Sequence, residues 1–185
     1  MGTHVCPWYI GYLLASPMRR LFQSPEKILS PYIKSGMKIL EIGPGMGFFS
    51  IPLARLVGAT GRIYCIDLQE KMLKNLRHRA SKKQLLDRIE IRLCSETSLQ
   101  VEPLAGIVDF ALAFAVVHEV PDQHRLFTEI IQSLKKGGLL LISEPKGHVT
   151  KENFESTLII AQSKGMECID VPNIQRSHSA VLKKI

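Results

Sequence analysis

Paired cysteines, long apolar runs and acidic residues are what this 185-residue sequence is short of. Its four cysteines, Cys6, Cys65, Cys94 and Cys168, are widely spaced and form no C-x-x-C pair. That is the usage of a reducing compartment, and it excludes a disulfide scaffold. The apolar patch from Trp8 to Ala15 is too short to span a bilayer and has no basic segment before it. Cys6 stands where an acylation signal would need Ser or Thr. No membrane partner is expected, and the expected location is the cytoplasm. Repeats and low-complexity segments are also absent. Hydrophobic residues at 45% and charged residues at 22% exclude a disordered or collagen-like chain. Lys and Arg number 24 against 17 Asp and Glu, a net charge of +7 that permits an anionic partner without requiring one. The length fits one domain, which at this size buries roughly 70% of its unfolded surface without a metal or disulfide staple. Nothing in the sequence specifies an oligomeric state.

What is present is alternation. Lys38 to Ile42, Arg62 to Asp67, Ile89 to Cys94, Val108 to Ala115 and Leu139 to Ser143 are short apolar runs of strand character. Between them, Phe48 to Val57, Glu70 to Lys83 and Asp122 to Leu134 carry helical patterns. Lys135-Lys136-Gly137-Gly138 reads as the stop of the last of these, a basic turn followed by glycine. Such β-α-β alternation argues for a parallel sheet covered by helices. Thr150 and Gly165 would cap and end a helix over Lys151 to Lys164. Met166 to Val171 and Ala180 to Lys184 are the last strands, separated by too few residues for a parallel crossover, so they should pair as an antiparallel hairpin. The fold expected is α/β and Rossmann-like: seven strands, mostly parallel with an antiparallel last strand, and helices on both faces.

Residues 1–37 differ in character. Trp8, Tyr9, Tyr12 and Phe22 fall in a stretch broken by Pro7, Pro17, Pro25 and Pro31. Ser24-Pro25-Glu26 is a helix start. We read 1–37 as short helices capping the active-site edge, and 38–185 as the ligand-binding domain.

The chemistry concentrates in Ile39-Leu40-Glu41-Ile42-Gly43-Pro44-Gly45-Met46-Gly47, between the first strand and the first helix. Glycines there let a backbone approach a ligand closely. Asp67 ends the second strand, where an acid can accept both ribose hydroxyls. Together these specify an adenosine-type ligand. A dinucleotide fingerprint fails, because its third glycine would fall on Phe48. Glu41 would repel a pyrophosphate and attract an amino group or sulfonium, which favours S-adenosylmethionine over NAD.

With these residues the sequence resembles the class I S-adenosylmethionine-dependent methyltransferases over about residues 24–185. The resemblance implies S-adenosylmethionine as cofactor and S-adenosylhomocysteine as product. It implies that Glu41 helps hold the methionine end and that the turn of Gly43, Pro44, Gly45 and Gly47 passes under the cofactor. Asp67 would then hold the ribose and Leu68 flank the adenine. Ser95 stands where the family usually has an Asp for the adenine amine, with Glu96 or main-chain groups as substitutes. Ala113, at the end of the fourth strand, joins the same set. Val117-His118-Glu119-Val120-Pro121-Asp122 resembles the family's Leu-His-His-Val-Pro-Asp stretch, and the terminal hairpin matches its reversed seventh strand.

Methyl transfer is an in-line displacement at an already activated carbon. A protein must mainly align the nucleophile and exclude water, with a base only where the acceptor must lose a proton. His118 has the pKa range for that base. The fourth strand ends in Ala113-Phe114-Ala115-Val116, not Asn-Pro-Pro-Tyr, and no Pro-Cys follows, which argues against amino-N and covalent cytosine methylation. No catechol-type acidic set is present, so no metal is expected. Cys6, Trp8 and His148 are candidate substrate residues, with Lys146 and His148 suited to an anionic acceptor. His4 and Cys6 supply only half of a four-ligand metal set. Arg77 to Lys83 makes one helix face basic without interleaved aromatics, so nucleic acid is not favoured. The expected function is methyl transfer to a small-molecule acceptor. The alternatives are an RNA methyltransferase or a non-catalytic cofactor-binding module.

Overall fold

The computed structural model describes residues 23–185. These divide into two compact units, residues 23–94 and residues 95–185. His4, Cys6 and Trp8 lie outside the described residues, as does most of the expected N-terminal cap.

In the first unit, the Ser24 hydroxyl accepts the Lys27 N–H and Pro25 opens helix α1 (Pro25–Leu29). Strand β1 (Lys38–Ile42) leads through the glycine turn into α2 (Ser50–Leu56). Then come β2 (Arg62–Asp67), α3 (Glu70–Lys82) and β3 (Ile89–Leu93). β1 pairs parallel with β2, with Glu41 opposite Cys65, and β2 pairs parallel with β3. The carboxyl ends of all three strands therefore share one edge. The 3.6-residue period of α3 buries Met72, Leu73, Leu76 and Ala80 together, and this face packs on β2 and β3. Burying each such leucine contributes roughly 1.5–3 kcal/mol.

The second unit holds β4 (Val108–Phe114), α4 (Gln123–Ser133), β5 (Leu134–Pro145), α5 (Lys151–Ser163), β6 (Met166–Asp170) and β7 (Ser177–Lys184). β4 is buried along nearly its whole length, as its unbroken apolar run implies. β5 runs parallel to β4, while β7 is antiparallel to both β5 and β6. Thr150 caps α5 by accepting the Asn153 N–H, and Gly165 follows its end at φ +93°. Strand order is β3-β2-β1-β4-β5-β7-β6. The fold is thus the expected Rossmann-like, mostly parallel seven-stranded sheet with β7 reversed.

Several boundaries differ from expectation, β7 for one starting at Ser177 rather than Ala180. α2 starts at Ser50 rather than Phe48, because the glycine turn and Phe48-Phe49 are spent on the bend. Lys135 to Gly138 does follow the helix end, but it lies within β5 rather than in a turn before the strand. α4 ends at Ser133, and Leu134 already pairs with Val108. The next pair is Phe110 with Leu139, so the four intervening residues form a bulge in β5. Lys135 is tied to Asp109 at 2.5 Å, and Gly137 adopts φ +76°.

Candidate functional site

The first unit carries an acid-and-glycine cluster at the carboxyl edge of β1 and β2. Gly45 lies at φ +53°, and an added Cβ would meet no described residue within 4 Å. Its backbone is thus open on one side. Its N–H donates to Asp67 Oδ2 at 3.2 Å, and Asp67 Oδ1 accepts the Gln69 N–H at 2.8 Å. Asp67 is nearly buried, and burial raises its pKa against the pull of these two bonds. Gly47 is closed in instead: at φ +85°, a Cβ would sit 2.5 Å from Leu76 Cδ1. Gly43 donates to the Ile66 carbonyl at 2.9 Å and Gly47 to the Pro44 carbonyl at 2.9 Å. Leu68 is 39% exposed beside Asp67.

Glu41 is buried, and the Cys65 thiol donates to its Oε2 at 3.4 Å. Burial, reinforced by the Asp67 charge, pushes the Glu41 carboxyl up to about 7, against the lowering contacts of Ser50 and Cys65. Glu41 is thus not the fixed negative charge expected from sequence: burial makes it a group that titrates near neutrality. Burial also pushes the Cys65 thiol up. Arg79, which sequence reading places on a solvated basic face, turns back and donates to the Met46 carbonyl at 2.6 Å, bracing the glycine turn.

The second unit carries an imidazole–carboxylate cluster. Ala115 follows β4 at φ +56°, a left-handed conformation uncommon for a residue with a Cβ. Its N–H donates to the Ser143 carbonyl at 2.7 Å. The turn delivers a short 3₁₀ segment, Val117–Glu119, over the end of β5. Glu144, wholly buried there, accepts the N–H groups of Val116 at 3.1 Å, Val117 at 3.0 Å and His118 at 3.4 Å. It also pairs with His118 Nδ1. An ionised carboxylate only accepts, so Nδ1 carries the proton and Nε2 is the nitrogen left for other work. The Glu144 bond raises the His118 pKa against the opposing effect of burial. The exposed His148 ring stacks on His118, centroids 5.8 Å apart and 15° from parallel.

Ala113 is buried within β4. Ser95 bends on itself, its hydroxyl accepting the Thr97 N–H at 3.3 Å, and Glu96 is exposed. This loop is anchored by α4: Glu129 accepts from the Ser98 hydroxyl at 2.6 Å and the Leu99 N–H at 2.8 Å, and Arg125 donates to the Thr97 carbonyl at 2.6 Å. Sequence reasoning missed Glu144, Arg79 and Glu129 as organising residues. Only Glu144 had a local signal, its place at the carboxyl end of β5. Among the described residues, no His, Cys, Asp and Glu gather in a set able to hold a metal, and no helix is long and apolar enough to cross a membrane.

A family profile described as a methyltransferase domain matches residues 33–178. The chain is 38% identical over 109 residues to the mitochondrial ubiquinone biosynthesis O-methyltransferase of Homo sapiens, covering 58% of this chain and 28% of that protein. It is 30% identical over 149 residues to a ubiquinone/menaquinone biosynthesis C-methyltransferase of Pseudomonas entomophila, covering 71% of this chain and 50% of that one. The chain thus spans half or less of each of these two curated relatives. A crystal structure of a SAM dependent methyltransferase from Aquifex aeolicus superposes with a TM-score of 0.84 at 26% identity, covering 97% of this chain and 98% of that one. The chain belongs to the class I S-adenosylmethionine-dependent methyltransferase family, whose cofactor is S-adenosylmethionine.

Proposed function

We propose that this protein methylates a small-molecule acceptor whose nucleophile is a hydroxyl or another group that must lose a proton. The observation that carries the proposal is the His118 imidazole held by the buried Glu144. A purely electrostatic or steric role for His118 would not need its Nδ1 proton fixed and its Nε2 left for a partner.

The cofactor fits the residues present. Glu41 is a buried acid with no basic side chain in ion-pair contact among the described residues, so it suits a ligand cation. The Ser50 hydroxyl beside it is buried as well. Gly45 presents open backbone. Glu41, Gly43, Pro44, Gly45, Gly47, Asp67 and Leu68 of the first unit would hold the cofactor. When bound, S-adenosylmethionine supplies a methyl group activated by its sulfonium. His118 Nε2 accepts the acceptor's proton, and Glu144 stabilises the imidazolium that results. His148 would border the acceptor.

The test is methyl transfer from S-adenosylmethionine labelled in its methyl group to a panel of phenolic, quinol-type and inorganic acceptors. Relatives named for ubiquinone biosynthesis and for arsenite methylation set the panel's range. Label on a hydroxyl oxygen supports the reading. Tight S-adenosylhomocysteine binding without transfer to any fraction of a cell extract would leave a cofactor-binding module instead. An RNA acceptor has one observation in its favour, the excess of 13 Lys and Arg over 6 Asp and Glu in residues 23–94. Salt-dependent RNA binding would mark that alternative.

A further inference from the structure

We infer that Glu41 admits a ligand cation only by giving up its own proton, so that the cofactor binds with release of a proton to solvent. A nucleoside lacking the amino-acid end would bind without this release. The inference rests on the reading of Glu41 as part of the cofactor site.

The geometry is that of a carboxyl built to be neutral when alone. Glu41 is 3% exposed. Its register partner across the β1–β2 ladder is Cys65, whose thiol is the donor to Oε2. Asp67, two residues further along β2, contributes a second negative charge, and the Gly45 and Gln69 N–H groups hold that charge in place. From α2 the buried Ser50 hydroxyl faces the carboxyl. From α3, Arg79 donates to the Met46 carbonyl at 2.6 Å. A buried carboxylate beside another carboxylate, with no ion-pair cation among the described residues, is costly. The neutral acid is therefore the resting form up to about pH 7. Cys65 stays a thiol across this range, because its own ionisation is pushed well up.

A cofactor ammonium or sulfonium placed against Glu41 removes that cost and stabilises the carboxylate. The proton leaves the carboxyl oxygen and passes to buffer, while the thiol keeps its own. Linkage then makes affinity rise with pH while the free protein still holds the proton, and level off above that. The buried acid also becomes a filter. It rewards ligands that carry positive charge at this point, and it leaves an uncharged ligand facing a neutral carboxyl.

The test is calorimetric titration of the full chain with S-adenosylhomocysteine at about pH 6.5, in two buffers of different ionisation enthalpy. The expected result is a buffer-dependent enthalpy corresponding to proton release that fades by about pH 8.5. Kd should weaken about tenfold per pH unit below the Glu41 midpoint. 5′-Methylthioadenosine, which has the nucleoside without the amino-acid end, should show neither effect. Glu41→Gln should bind S-adenosylhomocysteine with a flat pH profile. Equal enthalpies in both buffers, or the same pH dependence for both ligands, would overturn the inference while leaving the cofactor site intact. Absence of S-adenosylhomocysteine binding at every pH would overturn the cofactor reading itself. The two-buffer experiment needs no variant, so a misfolded Glu41→Gln does not remove the test.

Discussion

Glu144 holds His118 by ring and by backbone at once. Its Oε2 takes the Nδ1 side of the imidazole, while its Oε1 takes the N–H groups of Val116 and Val117 at 3.1 and 3.0 Å. Position and tautomer of the ring are therefore set by one side chain. Replacing His118 with Asn should lower kcat about 10²-fold and leave cofactor affinity unchanged. Steady-state kinetics with calorimetry of S-adenosylhomocysteine check this, and an unchanged kcat would remove His118 as the proton acceptor.

Because Glu144 raises the His118 pKa above 6.5, kcat should climb with pH through a midpoint above that value. In Glu144→Gln the midpoint should move down toward the unperturbed imidazole. The variant should also lose stability by roughly 1–3 kcal/mol, since three backbone donors and a ring share that carboxylate. The sign for folding follows: a His pKa raised by folding stabilises fully below the unfolded value, and this is lost as pH rises through the folded one. Chemical denaturation across this pH range reads it directly.

Glu41 has linkage of the same sign, at lower pH. Its pKa rises from 4.5 to about 7 on folding, so the native state holds a proton that the unfolded chain releases between those values. Stability relative to Glu41→Gln should decline as pH rises through that window, by roughly 3 kcal/mol at its upper end. Parallel denaturation curves at about pH 4.5 and 8 test the difference. An equal gap at both ends would show that Glu41 ionises freely in the fold.

Gly45→Ala and Gly47→Ala separate two demands on the glycine turn. Both positions have positive φ, but only Gly47 faces Leu76, with 2.5 Å left for a Cβ. Gly45→Ala should cost about 1 kcal/mol of backbone strain, with cofactor affinity falling through the lost open face. Gly47→Ala should cost more, roughly 2–4 kcal/mol, from strain plus the forced shift of the buried Leu76 side chain. Thermal melts rank the two.

The strands and the glycine turn were legible because their signals are local: period-two alternation, unbroken apolar runs, and glycines at a fixed spacing after a strand. The hairpin was legible from loop length alone. Lys135 to Gly138 misled as to where β5 begins, because a basic turn before glycine has the composition of a helix stop, while its bulge is decided by pairing with Val108 and Asp109. His118 was legible as a candidate base, but its partner was not. Glu144 lies 26 residues away, and only the β4–β5 register brings it under the ring. Glu41 was legible as an acid near the ligand edge. Its protonation was not, because that depends on burial against Cys65 and Asp67.

The burial of Cys65 also has a use apart from catalysis. Cys94 and Cys168 are partly accessible, whereas Cys65 is not. A thiol reagent should therefore modify the accessible pair in the native protein and reach Cys65 only when the β1–β2 ladder opens. The labelling rate of that single sulfur becomes a clock for opening of the glycine-turn unit, readable without any substrate. A bound cofactor that bridges Glu41 should slow the clock in proportion to its occupancy.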